Sequence, residues 1–316
     1  MTTAIYRTGL PQMNGRTLLT DGGIETTLIF HEGFDLPFFA SYVLLDDDAE
    51  GRRALRNYYA HYIDIARDTR SGFVLESPTW RCSRDWGAKL GHDEDAIAGF
   101  NRSAIALMEE LRRDAGIDEP IVISGNIGPR GDGYAAESQM TADEAEAYHR
   151  HQVETFAETG ADMISAVTMT HAGEAIGVVR AARAAGIPVA ISFTVETDGR
   201  LPSGQPLGEA ILETDAATGN APAYYMINCA HPDHFKDVLV DDGSGWTSRI
   251  RGVRANASRM SHAELDNSET LDDGNPDELA VDYANLSTAL PNLRVFGGCC
   301  GTDHRHIRAI AAWCCN

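Results

Sequence analysis

Eight times along this chain a short apolar run, rich in β-branched residues, gives way to a longer segment whose apolar residues recur at helical spacing. That alternation constrains the fold more than any other feature, because strand, helix and next parallel strand make one βαβ unit. The runs are TLLTDGG from Thr17, FVLES from Phe73, IVISGNIG from Ile121, DMISAVTMT from Asp162, PVAISFTVE from Pro188, AYYMINCA from Ala223, RIRGVRANA from Arg249 and LRVFGGCCG from Leu293. Their near-continuous hydrophobicity suits strands covered on both faces. Eight strand–helix units in one uninterrupted series predict an α/β fold, a (β/α)8 TIM barrel forming a single domain over residues 1–316. A doubly wound open sheet is the competing arrangement; no GxGxxG or GxxxxGK[ST] supports it.

Helix limits are written locally. Leu55, Tyr58, Tyr59, Tyr62 and Ala66 fall on one face of a 3.6-residue period. Thr141 with Glu144 predicts a capping box, with Gly160 ending that helix. Asn275-Pro276-Asp277-Glu278 predicts another helix start, and Gly186-Ile187-Pro188 a stop. Residues 258–273 are polar, acidic and without apolar period, so a long loop is expected after the seventh strand, either a lid or a solvated loop.

Composition narrows the function. Lys+Arg 26 against Asp+Glu 47 gives a net charge of −21, a surface that repels nucleic acid and anionic membranes. The N-terminus lacks the basic start and apolar run of a signal peptide, and no stretch is apolar for the length of a membrane span. A cytoplasmic location is therefore expected, where six cysteines stay reduced and read as metal or thiol chemistry. The oligomeric state is not legible.

Barrel active sites lie at the C-terminal ends of the strands. Here those ends carry Asp21, Glu25, Glu76, Asn126, Thr168, Thr194, Asn228, Cys229, Asn256, Cys299 and Cys300. Cys229 closes the sixth strand and Cys299-Cys300 the eighth, so three sulfurs can converge above the barrel. Successive strand residues point to opposite faces, so the pair can share one ion only if the backbone leaves strand geometry, which Gly297, Gly298 and Gly301 permit. Thiolates are soft ligands and Zn²⁺ is the expected ion, with a fourth position left open. Cys82 reads as a buried small hydrophobe, and Cys314-Cys315 as buried or tail residues. His231, His234, His304 and His306 raise a histidine-bound hydrolase metal; His304 and His306 read instead as exposed first-turn helix residues. GNIGPRGDG from Gly125 is either an anion cradle or an irregular loop.

With these motifs assembled, the chain resembles the zinc-dependent homocysteine S-methyltransferase family over nearly its whole length. DGGIETTL, PFFASYVLL, SGNIGPRGD, ADMISAVTMT, AISFTVETDGRLPSGQPL, YYMINCAHP and VFGGCCGTDHRHI occur in the family's order. The resemblance implies a (β/α)8 barrel, Cys229, Cys299 and Cys300 as zinc ligands, and small-molecule substrates: a thiol acceptor and an onium methyl donor. S-methylmethionine or S-adenosylmethionine is the preferred donor, with a betaine as alternative; homocysteine would give methionine. A cobalamin route would need further domains. Asp21, Gly22 and Gly23 fall on the first-strand motif that holds substrate polar groups, and Asn256 on a seventh-strand motif with departures on both sides.

One departure bears on the substrate. Where many members carry an acid before a threonine on the fourth strand, this chain reads Ala166-Val167-Thr168. Valine cannot pair with the acceptor's ammonium, so Asp21, Glu25 or Glu76, the candidate catalytic acids, takes over, or the acceptor is not homocysteine. Thr168 and Trp80 join the expected substrate-binding residues, with Trp80 and Phe38 or Phe39 as aromatic contacts to the onium centre. A barrel that binds zinc without catalysis, or senses redox state through vicinal cysteines, is the alternative from another class.

Overall fold

A computed structural model describes residues 4–46, 49–136, 139–240, 243–268 and 270–315. The strands are β1 Leu18–Leu19, β2 Gly72–Glu76, β3 Ile121–Ile127, β4 Met163–Met169, β5 Val189–Phe193, β6 Tyr224–Asn228, β7 Ile250–Ala255 and β8 Val295–Gly298. All pair in parallel with their sequence neighbours, and β8 pairs with β1, closing the barrel. This is the (β/α)8 barrel that the alternation predicts. Its outer helices are α1 Ala49–Thr69, α2 Glu94–Asp114, α3 Ala142–Ala157, α4 Ala172–Ala185, α5 Leu207–Thr218, α6 Pro232–Phe235, α7 Pro276–Ala289 and α8 His304–Cys314.

The expected helix signals operate as read. Thr141 and Glu144 form a reciprocal capping box at α3, though that helix ends at Ala157, ahead of Gly160. Asn275 caps α7 through the backbone N–H groups of Asp277 and Glu278, with Pro276 at the first position. Gly186 ends α4 with φ 69°, a left-handed conformation that glycine adopts without strain. Leu55, Tyr58, Tyr59, Tyr62 and Ala66 form the buried face of α1. Two expectations need correction. Residues 258–273 are not wholly irregular: Ser261 and Glu264 box the short helix His262–Asp266. The first run supplies only two paired strand residues, because beyond Thr20 the chain turns into Ile24–Thr26.

The barrel interior is layered. Leu18, Val74, Val122, Met163, Ala190, Tyr224, Met226 and Val295 make one apolar cluster inside the strands, distinct from the core between strands and helices. Side chains two residues apart share a face, so the next inward positions up the strands are Glu76, Ser124, Ser165, Ser192, Asn228 and Arg254. Apolar filling thus gives way to a buried polar layer directly beneath the C-terminal mouth.

Candidate active site

A cleft of about 490 Å³ opens at that mouth. Its floor is a charge cluster. Arg254 of β7 donates from Nη2 to Asp21 Oδ1 at 2.8 Å, and its Nη1 lies 3.9 Å from Glu76 Oε1. All three side chains are buried. Asp21 Oδ2 also accepts from the Tyr58 hydroxyl at 2.9 Å, and Oδ1 from Thr20 Oγ1 at 2.8 Å. Burial opposes the Arg254 charge, but Asp21 and Glu76 outweigh it and hold the guanidinium well above its usual range. Burial raises Glu76, partly offset by Arg254 and by the hydrogen bond from Ser165 Oγ at 2.8 Å.

Glu25 lines the cleft from the turn after β1 and accepts from Ser41 Oγ at 2.9 Å. Desolvation pushes it up to about 7. Gly22 and Gly23 have a packing reason for being glycine. A Cβ at Gly23 would stand 2.5 Å from the Cys299 carbonyl oxygen, and one at Gly22 2.7 Å from that of Thr302. The first-strand glycines therefore let the β8 turn settle against β1.

Because β8 ends at Gly298, Cys299 and Cys300 lie in the following turn, and Gly301 has φ 78°. This is the departure from strand geometry that a shared ion requires. The sulfurs of Cys229, Cys299 and Cys300 lie within 4.8 Å of one another, the one such metal-ligating group among the described residues. Cys229 and Cys299 are joined as a disulfide, while Cys300 stays outside it with the Tyr134 hydroxyl 3.6 Å from its sulfur. Cys82 is fully buried, as expected, and Cys314 and Cys315 pack on the edge of the core.

Two non-glycine residues at strand ends have left-handed backbones, Thr168 with φ 62° and Cys229 with φ 54°. A β-branched residue in that region is strained and needs support. Asn228 gives it: its Oδ1 accepts from the Thr168 N–H and from Ser192 Oγ, and its Nδ2 donates to Thr168 Oγ1. Thr168 is therefore fixed by its neighbours, and it lines the cleft.

Asn126, Asn228, Asn256 and Trp80 line the cleft, whereas Thr194 is not part of that lining and donates from Oγ1 to the Cys229 carbonyl oxygen at 3.5 Å. Asn256 and Trp80 present Oδ1 and Nε1, buried with no hydrogen-bond partner in the structure, as are Glu76 Oε2, Asn126 Oδ1 and Arg254 Nη1. Val167 adds an apolar wall, and Phe39 lies on the rim with left-handed φ. Phe38 packs on Trp86. Of GNIGPRGDG, residues 125–127 belong to β3 and residues 128–133 are irregular, with Gly128 fitted against Trp80. His304 is exposed, but His306 is buried, correcting its reading as an exposed residue: it completes the α8 cap with Asp303.

Sequence reading listed Asn228 without a role and missed Arg254, Tyr58 and Ser165. Arg254 carried a usable signal: β7 holds two arginines, Arg251 and Arg254, whose spacing puts them on opposite faces, so one of them must point inward. Tyr58 carried none, since it satisfies the apolar face of α1.

Comparison with known proteins agrees with this geometry. The family model described as homocysteine S-methyltransferase matches residues 18–314. Homocysteine S-methyltransferase YbgG of Bacillus subtilis (strain 168) is 27% identical over 317 residues, 94% of this chain and 94% of its own. Homocysteine S-methyltransferase 4 of Zea mays is 24% identical over 332 residues, covering 96% and 91%. Among solved structures, the homocysteine methyltransferase MmuM from Escherichia coli shares the fold. Its metallated form gives a TM-score of 0.74 at 19% identity, covering 96% of this chain and 98% of that one. Its oxidised form gives 0.73 at 21%, covering 94% and 95%.

Proposed function

This chain belongs to the homocysteine S-methyltransferase family, and on that premise we propose that it moves a methyl group from a sulfonium donor, S-methylmethionine or S-adenosylmethionine, to the sulfur of homocysteine, giving methionine. The observation that carries the reading is the convergence of Cys229, Cys299 and Cys300 at the lip of the cleft. Three cysteine sulfurs from two strand ends suit a zinc ion with an open fourth position. Zinc so held is a Lewis acid that lowers the pKa of an acceptor thiol, normally near ~8.5, so that the nucleophilic thiolate is present at neutral pH.

The residues of this chain supply the rest by positioning. Asn228, which precedes Cys229, holds the Thr168 backbone, and the Gly22-Gly23 turn seats Cys299. The anionic floor receives cationic substrate groups, with Asp21 tied to Arg254 and Glu25 less committed. Trp80 and Phe39 border the cleft and offer aromatic surface to the donor, whose positive charge is lost as the methyl leaves. Two of the three ligands are the cysteines joined as a disulfide, so oxidation and metal binding exclude one another, and activity requires the reduced protein. A cytoplasmic location accords with that requirement.

The test uses the full chain, reduced and supplied with zinc. Homocysteine is offered with S-methylmethionine, S-adenosylmethionine or glycine betaine, and methionine is measured alongside bound zinc. One zinc per chain, lost in Cys300→Ala together with activity, is the expected result. Transfer from betaine alone would overturn the donor; full activity without metal would overturn the zinc assignment.

A further inference from the structure

Asp21, Glu25 and Glu76 line the cleft with Arg254, and Arg81, Asp132 and Asp272 line it further out. The first three carboxylates are not equivalent. Asp21 is committed: it accepts from Arg254, Tyr58 and Thr20. Arg254 directs Nη2 to Asp21 and Nε to the Gly298 carbonyl, leaving only a 3.9 Å approach to Glu76 Oε1.

Glu76 is built differently. It leaves β2, yet its Oε1 accepts from Ser165 Oγ of β4 at 2.8 Å, passing β3, where Ser124 Oγ meets the same Ser165 hydroxyl at 2.8 Å. The two serines hold one oxygen of the carboxylate across the barrel, two positions below Val167 on the shared inward face. The other oxygen, Oε2, is buried without a partner on a residue only 3% exposed that lines the cleft. A carboxylate oxygen so placed is costly unless something arrives to bind it. The cation that bears on Glu76 is Arg254, already committed to Asp21 and 3.9 Å away, while Asp21 adds a like charge, so the missing partner is a cation. Its size is limited by the depth of the site, and a primary ammonium, with three donors on a compact head, fits a single buried oxygen better than a bulky onium centre.

We propose that Glu76 is the residue that selects an α-amino-acid acceptor, receiving its ammonium group on Oε2. This rests on the amino-acid-thiol reading above and adds to it the group that decides between thiols with and without an amino group. Burial raises Glu76, and an ammonium at Oε2 acts in the opposite sense by favouring the ionised form.

The experiment measures equilibrium binding by calorimetry on the reduced, zinc-loaded chain, with L-methionine and its desamino counterpart 4-(methylthio)butanoate as probes. Wild-type protein should prefer methionine. Glu76→Gln should weaken methionine by about 10- to 100-fold, the range for a lost charge-assisted hydrogen bond, and leave the desamino compound unchanged. Glu76→Asp, which keeps the charge, should fall between. A parallel loss of both ligands in Glu76→Gln, or no loss of either, overturns the assignment. Should that variant fail to fold, wild-type protein still decides: equal affinity for the two compounds overturns it. Wild-type protein that methylates homocysteine while Glu76→Gln binds methionine normally refutes this inference alone; wild-type protein that binds neither methionine nor homocysteine refutes the amino-acid acceptor itself.

Discussion

Replacing Arg254 by Met is the sharpest test of the charge cluster. The substitution keeps an unbranched apolar stem of similar reach and removes the guanidinium. Arg254 is 7% exposed, Asp21 2% and Glu76 3%, so solvent cannot take its place. Asp21 keeps the hydrogen bonds from Tyr58 and Thr20 but loses the 2.8 Å ion pair, and Glu76 loses its nearest cation. Removing one partner of a buried pair leaves an uncompensated charge and costs about 3–5 kcal/mol. At roughly 2–4 °C per kcal/mol for a large domain, Tm should fall by roughly 6–20 °C. The loss should depend on pH. In the variant Glu76, which burial already raises, loses the cation that opposes that rise, so it binds a proton more readily in the fold and stability declines as pH rises through its folded value. The gap from wild type therefore narrows as pH falls through that value towards the ordinary carboxylate range. Adding Asp21→Asn should recover much of the loss, since deleting both charges of a pair removes the stranded one. Thermal unfolding of the four proteins across pH makes the measurement. A Tm change under about 1 °C, or a deficit that ignores pH, refutes the claim that this arginine neutralises buried acid.

Two further outcomes follow from the site. Glu25 is raised from 4.5 to about 7, so the fold favours its neutral form; the stability this contributes is present below pH 4.5 and lost as pH rises towards 7. Glu25→Gln should flatten that part of the wild-type stability curve in chemical denaturation, and an unchanged slope would reject the shift. Gly23→Ala places a methyl 2.5 Å from the Cys299 carbonyl oxygen and should displace the β8 turn, at a stability cost of about 1–3 kcal/mol. Its zinc content under limiting metal should drop well below wild type; full zinc loading would show that the turn tolerates the shift.

The architecture was readable because each of its causes is local. Apolar runs, Thr141 with Glu144, and Asn275 before Pro276 act within a few residues, and the barrel follows from repeating them. The cysteine trio was readable because sulfur beside glycine at strand ends is uncommon in a plain core. What the acids do was not readable, because it depends on partners brought together only by closure. Asp21 and Arg254 are 233 residues apart in sequence, and nothing near Asp21 announces that its charge is already matched. Ser124 and Ser165 each look like an ordinary small residue in a strand; their common role appears when β2, β3 and β4 lie side by side. The buried His306 was misread for a similar reason, since its cap with Asp303 is local but its burial is supplied by the packing around α8.

The site's position at the β8–β1 seam also makes it a reporter of folding order. β1 contributes only two paired residues to each neighbour, so the barrel's last joint is its thinnest. Cys299 and Cys300 sit just beyond that joint, against glycines near the opposite end of the chain, and Cys229 waits on β6. During synthesis Cys299 and Cys300 follow all eight strands, so a chain that stops short of the β8 turn cannot present all three sulfurs. An ion held by the proposed trio would bind only the closed barrel and latch it, and free metal at 100 times its Kd would stabilise that state by about 2.7 kcal/mol. The turns after β1 and β8 would then be stitched together by the atoms proposed for the chemistry, so that an open seam and an inactive site would become one event.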